Sequence, residues 1–531
     1  MKLLQTKARL VLLANNFYNV AEELVDKNLD KGYGEKIAIY YGDEKITYNQ
    51  LAKEINKLGN GLKSLGIEME NRVALLLLDC PQFFYSFLGA IKMGAVAVPV
   101  NTLLRAQDYL YVLNDSRAKV LVVSEELVHL VEPILDEAMF LKSVVVVGKP
   151  KPGQIAYDSL VGEQPETITT APTSADEPAF WIYSSGTTGF PKGVVHLHHD
   201  MVFAADTTGI GIFKISADDL VYSTSKLFFS YGLGNALYYP LRAGAASVLC
   251  PARPDPQVVF DLMKKYRPTV FCSVPTSYTA MLQAAEKGRE GDFSSVRVAT
   301  SAGETLPEVI FHRWKERFGI ELLDGLGCSE ATNTFICNRP GEVVPGSTGK
   351  VVPGYEIRLV DEAGMPVPTG EVGTLHVKGD SLAAHYWNQH EKTKDSFHGH
   401  WFNTRDRFYQ DEAGYLWYVG RADDMLKVGG IWVSPIEVER TLLKHESVLE
   451  CGVIGKEDEN NLVKPKAFVV LKDGYEASEQ LEKELKEFIK NKIAHYKYPR
   501  WIQFVQQLPK TATGKIQRYK LRELEETLNT A

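Results

Sequence analysis

The sequence of 531 residues is too long for a single hydrophobic core and predicts about two to four structural units. Hydrophobic residues make up 45% and charged residues 24%, the balance of an ordinary globular protein. A formal net charge of −8 with no block of lysines or arginines argues against a nucleic-acid surface, and no apolar run reaches the roughly 18 residues that a membrane span needs.

The opening MKLLQTKARLVLLANNF is a poor signal peptide, because Lys2, Lys7 and Arg9 interrupt a short apolar stretch. In chain order, KIAIYYGDEKITYNQL reads as two strands joined by a tight turn, and LAKEINKLGNGLKSLG as a helix ending on Gly66. RVALLLLD (72–79) is a short continuous apolar run, the mark of a strand buried on both faces, and AKVLVVSE and LKSVVVVG repeat it. Strands alternating with helices predict an α/β fold with largely parallel sheets. Residues 162–178, rich in Pro, Thr and acidic side chains, read as a surface loop leading to the apolar strand AFWIY. Sheet segments continue through VYSTSKLFF, ASVLCP, TVFCSVP and VRVATSAGE. From about residue 350, short strands between Gly, Pro and Asp turns predict a smaller β-rich unit. The last hundred or so residues show a compact α+β pattern: helix PIEVERTLLKH, strands VLECGVIG and KAFVVLK, then the charged helix SEQLEKELKEFIKNKI, a solvated face. A boundary near Asp423 divides the chain into units 1–422 and 423–531. Six cysteines (Cys80, Cys250, Cys272, Cys328, Cys337, Cys451) form no CxxC pair, which speaks for a reducing, cytoplasmic setting and against a disulfide framework or zinc site.

The most informative stretch is YSSGTTGFPKG (183–193). Backbone N–H groups of such a turn make an anion nest, its hydroxyls add donors, and Lys192 adds charge. Walker A sites place the lysine directly after the last glycine and a hydroxyl residue after the lysine. Here Pro191 separates Lys192 from Gly189, and Gly193 and Val194 follow, so the order disfavours a Walker site. Just beyond, His196, His198 and His199 suggest a metal, yet with no cysteine and only Asp200 nearby they read as structural residues at a helix start.

This loop resembles the signature of the acyl-adenylate-forming enzymes, which include acyl- and aryl-CoA ligases and peptide-synthetase adenylation domains. The resemblance runs over essentially the whole chain and is greatest to the benzoate-CoA ligase branch, in KLFFSYGLGN, TSAGETLPE, DDMLKVGGIWVSPIEVE and YKYPRW. It implies a large N-terminal AMP- and acid-binding domain and a small mobile C-terminal domain. Ser184, Ser185, Gly186, Thr187, Thr188 and Lys192 would then hold ATP phosphates. SAGE supplies an adenine-side loop of Ala302, Gly303 and Glu304, and DGLGCSE supplies Asp324, Gly325, Leu326 and Gly327, followed by Ser329 at a phosphate and Glu330 at Mg²⁺. Asp406 matches the ribose acceptor, although Arg405 stands where most relatives carry glycine, and Arg421 matches a second ribose or phosphate contact.

By the same resemblance, Lys515 in PKTATGKIQR is the catalytic lysine and Asp423 the hinge, and Lys427, Gly429, Gly430 and Trp432 border the CoA channel. Phe229, Ser230, Tyr231, Gly327 and Asn333 are candidates for the acid pocket. Ser230 and Asn333 replace an alanine and a histidine expected in benzoate ligases. The expected activity is ATP-dependent, Mg²⁺-assisted formation of an acyl-adenylate and then an acyl-CoA from benzoate or a similar ring acid. Cyclohexane or cyclohexene carboxylates, hydroxybenzoates and short-to-medium-chain fatty acids remain open, as do loading of a carrier protein and a homodimeric state.

Overall fold

The computed structural model describes residues 17–184, 191–428, 431–459, 462–510 and 516–530, with the side chains of 423, 427, 431, 432 and 528–530 left aside. Two large sheets dominate. An eight-stranded sheet carries parallel strands Arg72–Leu76, Val96–Pro99, Val120–Ser124, Ser143–Val147 and Pro178–Ser184, closed on one side by antiparallel Lys192–Leu197 and His385–Tyr386. A nine-stranded sheet is parallel through Ile37–Tyr41, Ala246–Leu249, Leu220–Ser223, Val270–Ser273, Val298–Ser301 and Leu322–Gly327, with antiparallel strands at both edges. The continuous apolar runs are strands covered on both faces: all five residues of Val120–Ser124 are buried.

Helices Tyr48–Ser64 and Pro81–Lys92 pack on each other within the shared core of the two sheets. Thr47 caps the first through a reciprocal pair with Gln50, so this helix begins three residues before the apolar periodicity suggests. A five-stranded antiparallel sheet, including Gly373–Lys378, Trp401–Gln410 and Leu416–Arg421, joins the same core through Leu375, Phe402, Phe408 and Leu416. The C-terminal part builds separate apolar clusters around strands Val448–Glu457, Val463–Leu471 and Trp501–Phe504 and helices Pro435–Leu442 and Glu479–Lys490. The fold is therefore α/β with parallel-rich sheets, a β-rich unit and a small α+β C-terminal part. All six cysteines are free thiols. Among the described residues, no helix is long and apolar enough to cross a membrane.

Candidate active site

The site lies beyond the carboxyl ends of parallel strands, where an open α/β sheet leaves a crevice. Strand Pro178–Ser184 enters the Ser/Thr/Gly loop, and the chain returns as the antiparallel strand Lys192–Leu197, with Ser184 paired to Lys192. A Walker loop instead opens a helix, so the topology agrees with the residue order. Ser185, Gly186, Thr187 and Thr188 lie outside the described residues.

Lys192 stands at the head of its strand, 3.8 Å from Glu330 Oε1 and 4.1 Å above the Tyr386 ring. The Tyr386 hydroxyl donates to the same Glu330 oxygen at 2.7 Å. Burial, reinforced by the neighbouring carboxylate, pushes the Tyr386 phenol pKa up, which keeps it a donor. Burial depresses the Lys192 pKa; Glu330 opposes this, and the charges of Lys392, Arg405 and Arg421 add to it. Four cations thus bear on one spot. Tyr386 arrives there because His385–Tyr386 pairs with the Lys192 strand, with Tyr386 opposite Val194, and because Trp387 packs against Trp181, their rings tilted with centroids 4.6 Å apart.

Strand Leu322–Gly327 leads into the Ser329–Ala331 turn, and Thr334–Cys337 returns beside it. The return is tight enough that a Cβ on Gly327 would lie 2.4 Å from the Asn333 carbonyl oxygen. Glu330 is buried, and its carbonyl accepts the Ala383 N–H at 2.7 Å. Ser301 pairs with Asp324, which brings the SAGE loop alongside the DGLG strand. Burial raises the Asp324 pKa to about 8 against the opposing charge of Arg440. Glu304 accepts the Thr276 hydroxyl at 2.7 and 2.8 Å, and Ala302 is buried.

Asp406 and Arg421 face each other across adjacent strands, with Arg421 Nη1 3.7 Å from Asp406 Oδ1. Arg405 takes φ +60°, the left-handed conformation that glycine adopts without penalty, so the arginine keeps a glycine-like turn. A register shift in the pairing with Gly373–Lys378 marks a bulge here, and Asp406 is buried in step with the alternation of its strand.

In the stretch expected to line the acid pocket, Phe229 precedes helix Ser230–Leu233, and the Tyr231 hydroxyl meets Thr300 Oγ1 at 2.7 Å. The Leu227 N–H donates to Asp79 at 3.1 Å, and Lys226 donates to the Cys250 and Ala252 carbonyls at 2.7 Å each, fixing the KLFF segment. The Asn333 amide is spent on the framework: Nδ2 donates to the Ser230 carbonyl at 3.1 Å, and Oδ1 accepts the Thr334 hydroxyl at 2.9 Å. A Cβ on Gly234 would sit 1.9 Å from that Nδ2, so glycine is required for Asn333 to occupy its place.

The three histidines divide their tasks. His198 Nδ1 accepts the Val20 N–H at 3.1 Å, His199 Nδ1 donates to the Ala175 carbonyl at 2.8 Å, and His196 turns inward behind Ser329. Gly429, Gly430 and Lys515 lie outside the described residues, as do the side chains of Asp423, Lys427 and Trp432; Lys427 and Trp432 pair across a hairpin. Sequence reasoning missed Tyr386 and Lys392, and Arg440 beside Asp324. AHYW carries no charge or spacing to mark Tyr386, and Lys392 is one of several lysines in a polar stretch.

The AMP-binding enzyme family model matches residues 26–387, and the model of the AMP-binding enzyme C-terminal domain matches 437–515. The chain is 48% identical to a benzoate–CoA ligase of Thauera aromatica, over 95% of this chain and 96% of that one. An anthranilate CoA ligase solved in complex with anthranoyl-AMP superposes with a TM-score of 0.92 at 41% identity, covering 97% of this chain and 98% of that one. A benzoate CoA ligase from Burkholderia xenovorans gives a TM-score of 0.88 at 41% identity, with 95% and 100% covered.

Proposed function

The chain belongs to the AMP-binding enzyme family, and from that premise we propose that it is an ATP-dependent, AMP-forming acid–CoA ligase acting on benzoate or a near ring relative. The observation carrying this reading is the convergence of Glu330, Lys192 and the Asp406–Arg421 pair at one end of the parallel strands. The likeness to benzoate–CoA ligase over nearly the full chain supports the choice of acid.

In the first half-step the acid's carboxylate attacks the α-phosphorus of ATP. A new P–O bond forms, the bond to the bridging oxygen breaks, and pyrophosphate leaves. In the second, the CoA thiolate attacks the acyl carbon and AMP leaves. Activation turns a poor leaving group into a good one. The first step brings two anions together, so its barrier falls where fixed positive charge meets them in a site that excludes water. Lys192, with Ser184, Ser185, Thr187 and Thr188, is assigned to the β- and γ-phosphates, which leave as pyrophosphate. Lys515 is assigned to the approach of carboxylate to α-phosphate, as the catalytic lysine. Asp406 accepts from the ribose hydroxyls, with Arg421 beside it, and residues 302–304 and 324–327 border the adenine.

Glu330 suits Mg²⁺, which takes few carboxylates and completes its shell with phosphate oxygens and water. Among the described residues no three His, Cys, Asp or Glu side chains gather into an all-protein metal cage, and Mg·ATP needs none. When bound, the ion supplies charge that screens the triphosphate; Glu330, held by Tyr386, would be its protein ligand.

The unit 423–531 is taken to rotate about Asp423 between half-steps, presenting Lys515 for the first and the 427–432 hairpin, beside the pantetheine path, for the second. A ring acid lies among Phe229, Ser230, Tyr231 and the Gly327–Asn333 turn. The six free thiols, with no CxxC pair among them, support a cytoplasmic enzyme. The anthranilate ligase neighbour favours an aminobenzoate as a second reading.

The test is acid-dependent ATP–pyrophosphate exchange over benzoate, 2-aminobenzoate, the hydroxybenzoates, cyclohexane carboxylate and hexanoate. Benzoate or a substituted benzoate should lead; hexanoate ahead of every ring acid refutes the choice of substrate. Lys515→Ala should abolish exchange while sparing CoA transfer from supplied acyl-adenylate, and equal loss of both steps refutes the division of labour.

A further inference from the structure

His196 has no part in the roles assigned so far, yet it lies on the strand that Lys192 begins and meets the backbone of the residue before Glu330. It is fully buried, with its ring stacked on Phe180 at 4.8 Å and 13°. Its Nε2 lies 2.7 Å from the Ser329 carbonyl oxygen, and its Nδ1 lies 2.7 Å from Asp200 Oδ2 and 3.2 Å from Thr332 Oγ1. A carbonyl only accepts, so Nε2 carries a hydrogen. Asp200 is itself fully buried; the same Oδ2 accepts the Leu197 N–H at 3.1 Å, and Oδ1 lies 3.2 Å from His199 Nε2.

The placement is geometric. Successive side chains of a strand alternate between faces, so Lys192 and His196 share one face about 13 Å apart. One face of one strand thus meets Glu330 through the Lys192 ammonium and holds the backbone of the preceding residue through His196. Thr332, which closes the turn, takes φ +69° and donates to the Ser381 carbonyl at 2.6 Å. A β-branched residue in the left-handed region persists only where its surroundings over-determine it. A buried histidine–carboxylate pair bears a desolvation cost that a packed apolar pair avoids, so stability alone gives little reason for its presence.

We propose that His196, oriented by Asp200, is a positioning residue that fixes the Ser329–Glu330 turn against the phosphate-loop strand and thereby serves the adenylation half-reaction. The inference rests on the functional reading above. It locates the coupling in the single N–H that Nε2 gives to Ser329, with Asp200 holding the ring in place.

Two substitutions separate the ring nitrogens. Gln at 196 puts an amide N–H near the place of Nε2 and can still reach Ser329. Asn is one methylene shorter, can bond Asp200, and leaves the Ser329 carbonyl without its donor. His196→Gln, His196→Asn and the wild type are compared in three measurements: Mg·ATP affinity by calorimetry, acid-dependent pyrophosphate exchange, and conversion of supplied acyl-adenylate and CoA to thioester. His196→Asn should lose about 10- to 100-fold in exchange and weaken Mg·ATP binding, as loss of a partner orienting a metal ligand does, while thioester formation changes by no more than about threefold. His196→Gln should recover most of the exchange. Equal activity of the Gln and Asn variants, or equal loss in both half-reactions, overturns the proposal. If the wild type activates none of the acids, the functional reading fails by itself; the calorimetric order of Gln over Asn still decides the role of His196.

Discussion

Acidification should destabilise this fold through one identifiable ring. His198 is 1% exposed, and its Nδ1 accepts the Val20 N–H, a bond that only a ring with an unprotonated Nδ1 can make. Burial, with a smaller effect from the charge of His199, depresses its pKa from 6.5 to about 4. Between these values the unfolded chain binds a proton that the folded chain refuses. The contribution is therefore fully present above pH 6.5 and is lost progressively as pH falls toward 4. At about 1.4 kcal/mol for each pH unit, the whole window comes to about 3 kcal/mol, of which about 2 kcal/mol is gone by pH 5. His198→Asn offers Oδ1 as acceptor near the place of Nδ1 and does not titrate. Its smaller volume should cost about 1–2 kcal/mol at pH 7.5. Urea unfolding of both proteins at pH 7.5 and pH 5 gives a double difference in which the other titrating groups cancel. The gap between wild type and variant should close by about 2 kcal/mol on acidification, leaving them level or the variant ahead. A gap unchanged between the two pH values refutes the assignment of the neutral ring and its cause.

Asp324 should act in the opposite sense. With its folded pKa raised to about 8 by burial, the folded chain keeps a proton that the unfolded chain releases, so its contribution to stability falls as pH rises from about 4 to 8. Asp324→Asn should flatten that fall, read as urea midpoints at pH 6 and 8.5; an unchanged slope refutes it. For Arg405→Gly, relief of the left-handed φ is worth about 1 kcal/mol and is offset by a similar loss through the freer unfolded chain, while the exposed pair with Asp395 adds little. Stability should stay within about 1 kcal/mol, and the KM for ATP should rise about threefold as one cation near Lys192 is lost. A large fall in melting temperature, or an unchanged KM, contradicts this account.

Much of the framework was legible because its signals are local. A strand covered on both faces must be apolar at successive positions, and Val120–Ser124 and Ser143–Val147 read that way. The departure of GFPKG from Walker order is local too, and Lys192 does begin a strand where a Walker lysine would open a helix. Tyr386 illustrates what was not legible. Its bond to Glu330 depends on its strand adding to the edge at Val194, a pairing between distant parts of the chain, and nothing in AHYW specifies that partner. The histidines show a middle case: HLHHD marks a helix start, as expected, but strand alternation turns His196 toward Ser329, and only the return of the 322–337 hairpin puts a carbonyl there. Arg405 shows that a residue type can mislead about geometry, since φ +60° is kept without glycine.

These features have a common cause in the strand–loop–strand path of the segment proposed to hold phosphate. A P-loop draws much of its attraction for phosphate from backbone N–H groups at a helix N-terminus, which come with the fold and do not titrate. Here the segment returns as an antiparallel strand whose amides are committed to the sheet, from Lys192 paired with Ser184 to Leu197 paired with Pro178. Beyond the loop's own donors, the positive field must be assembled from side chains: Lys192 from this strand, Arg421 and Arg405 from the antiparallel sheet, and Lys392 from the helix between the two. Side chains drawn from separate elements need separate anchors. The Tyr386 hydroxyl on Glu330, the bulge at Arg405 and the His196 bond to Ser329 are three such anchors, each at a point where the proposed phosphate site would otherwise depend on a turn alone.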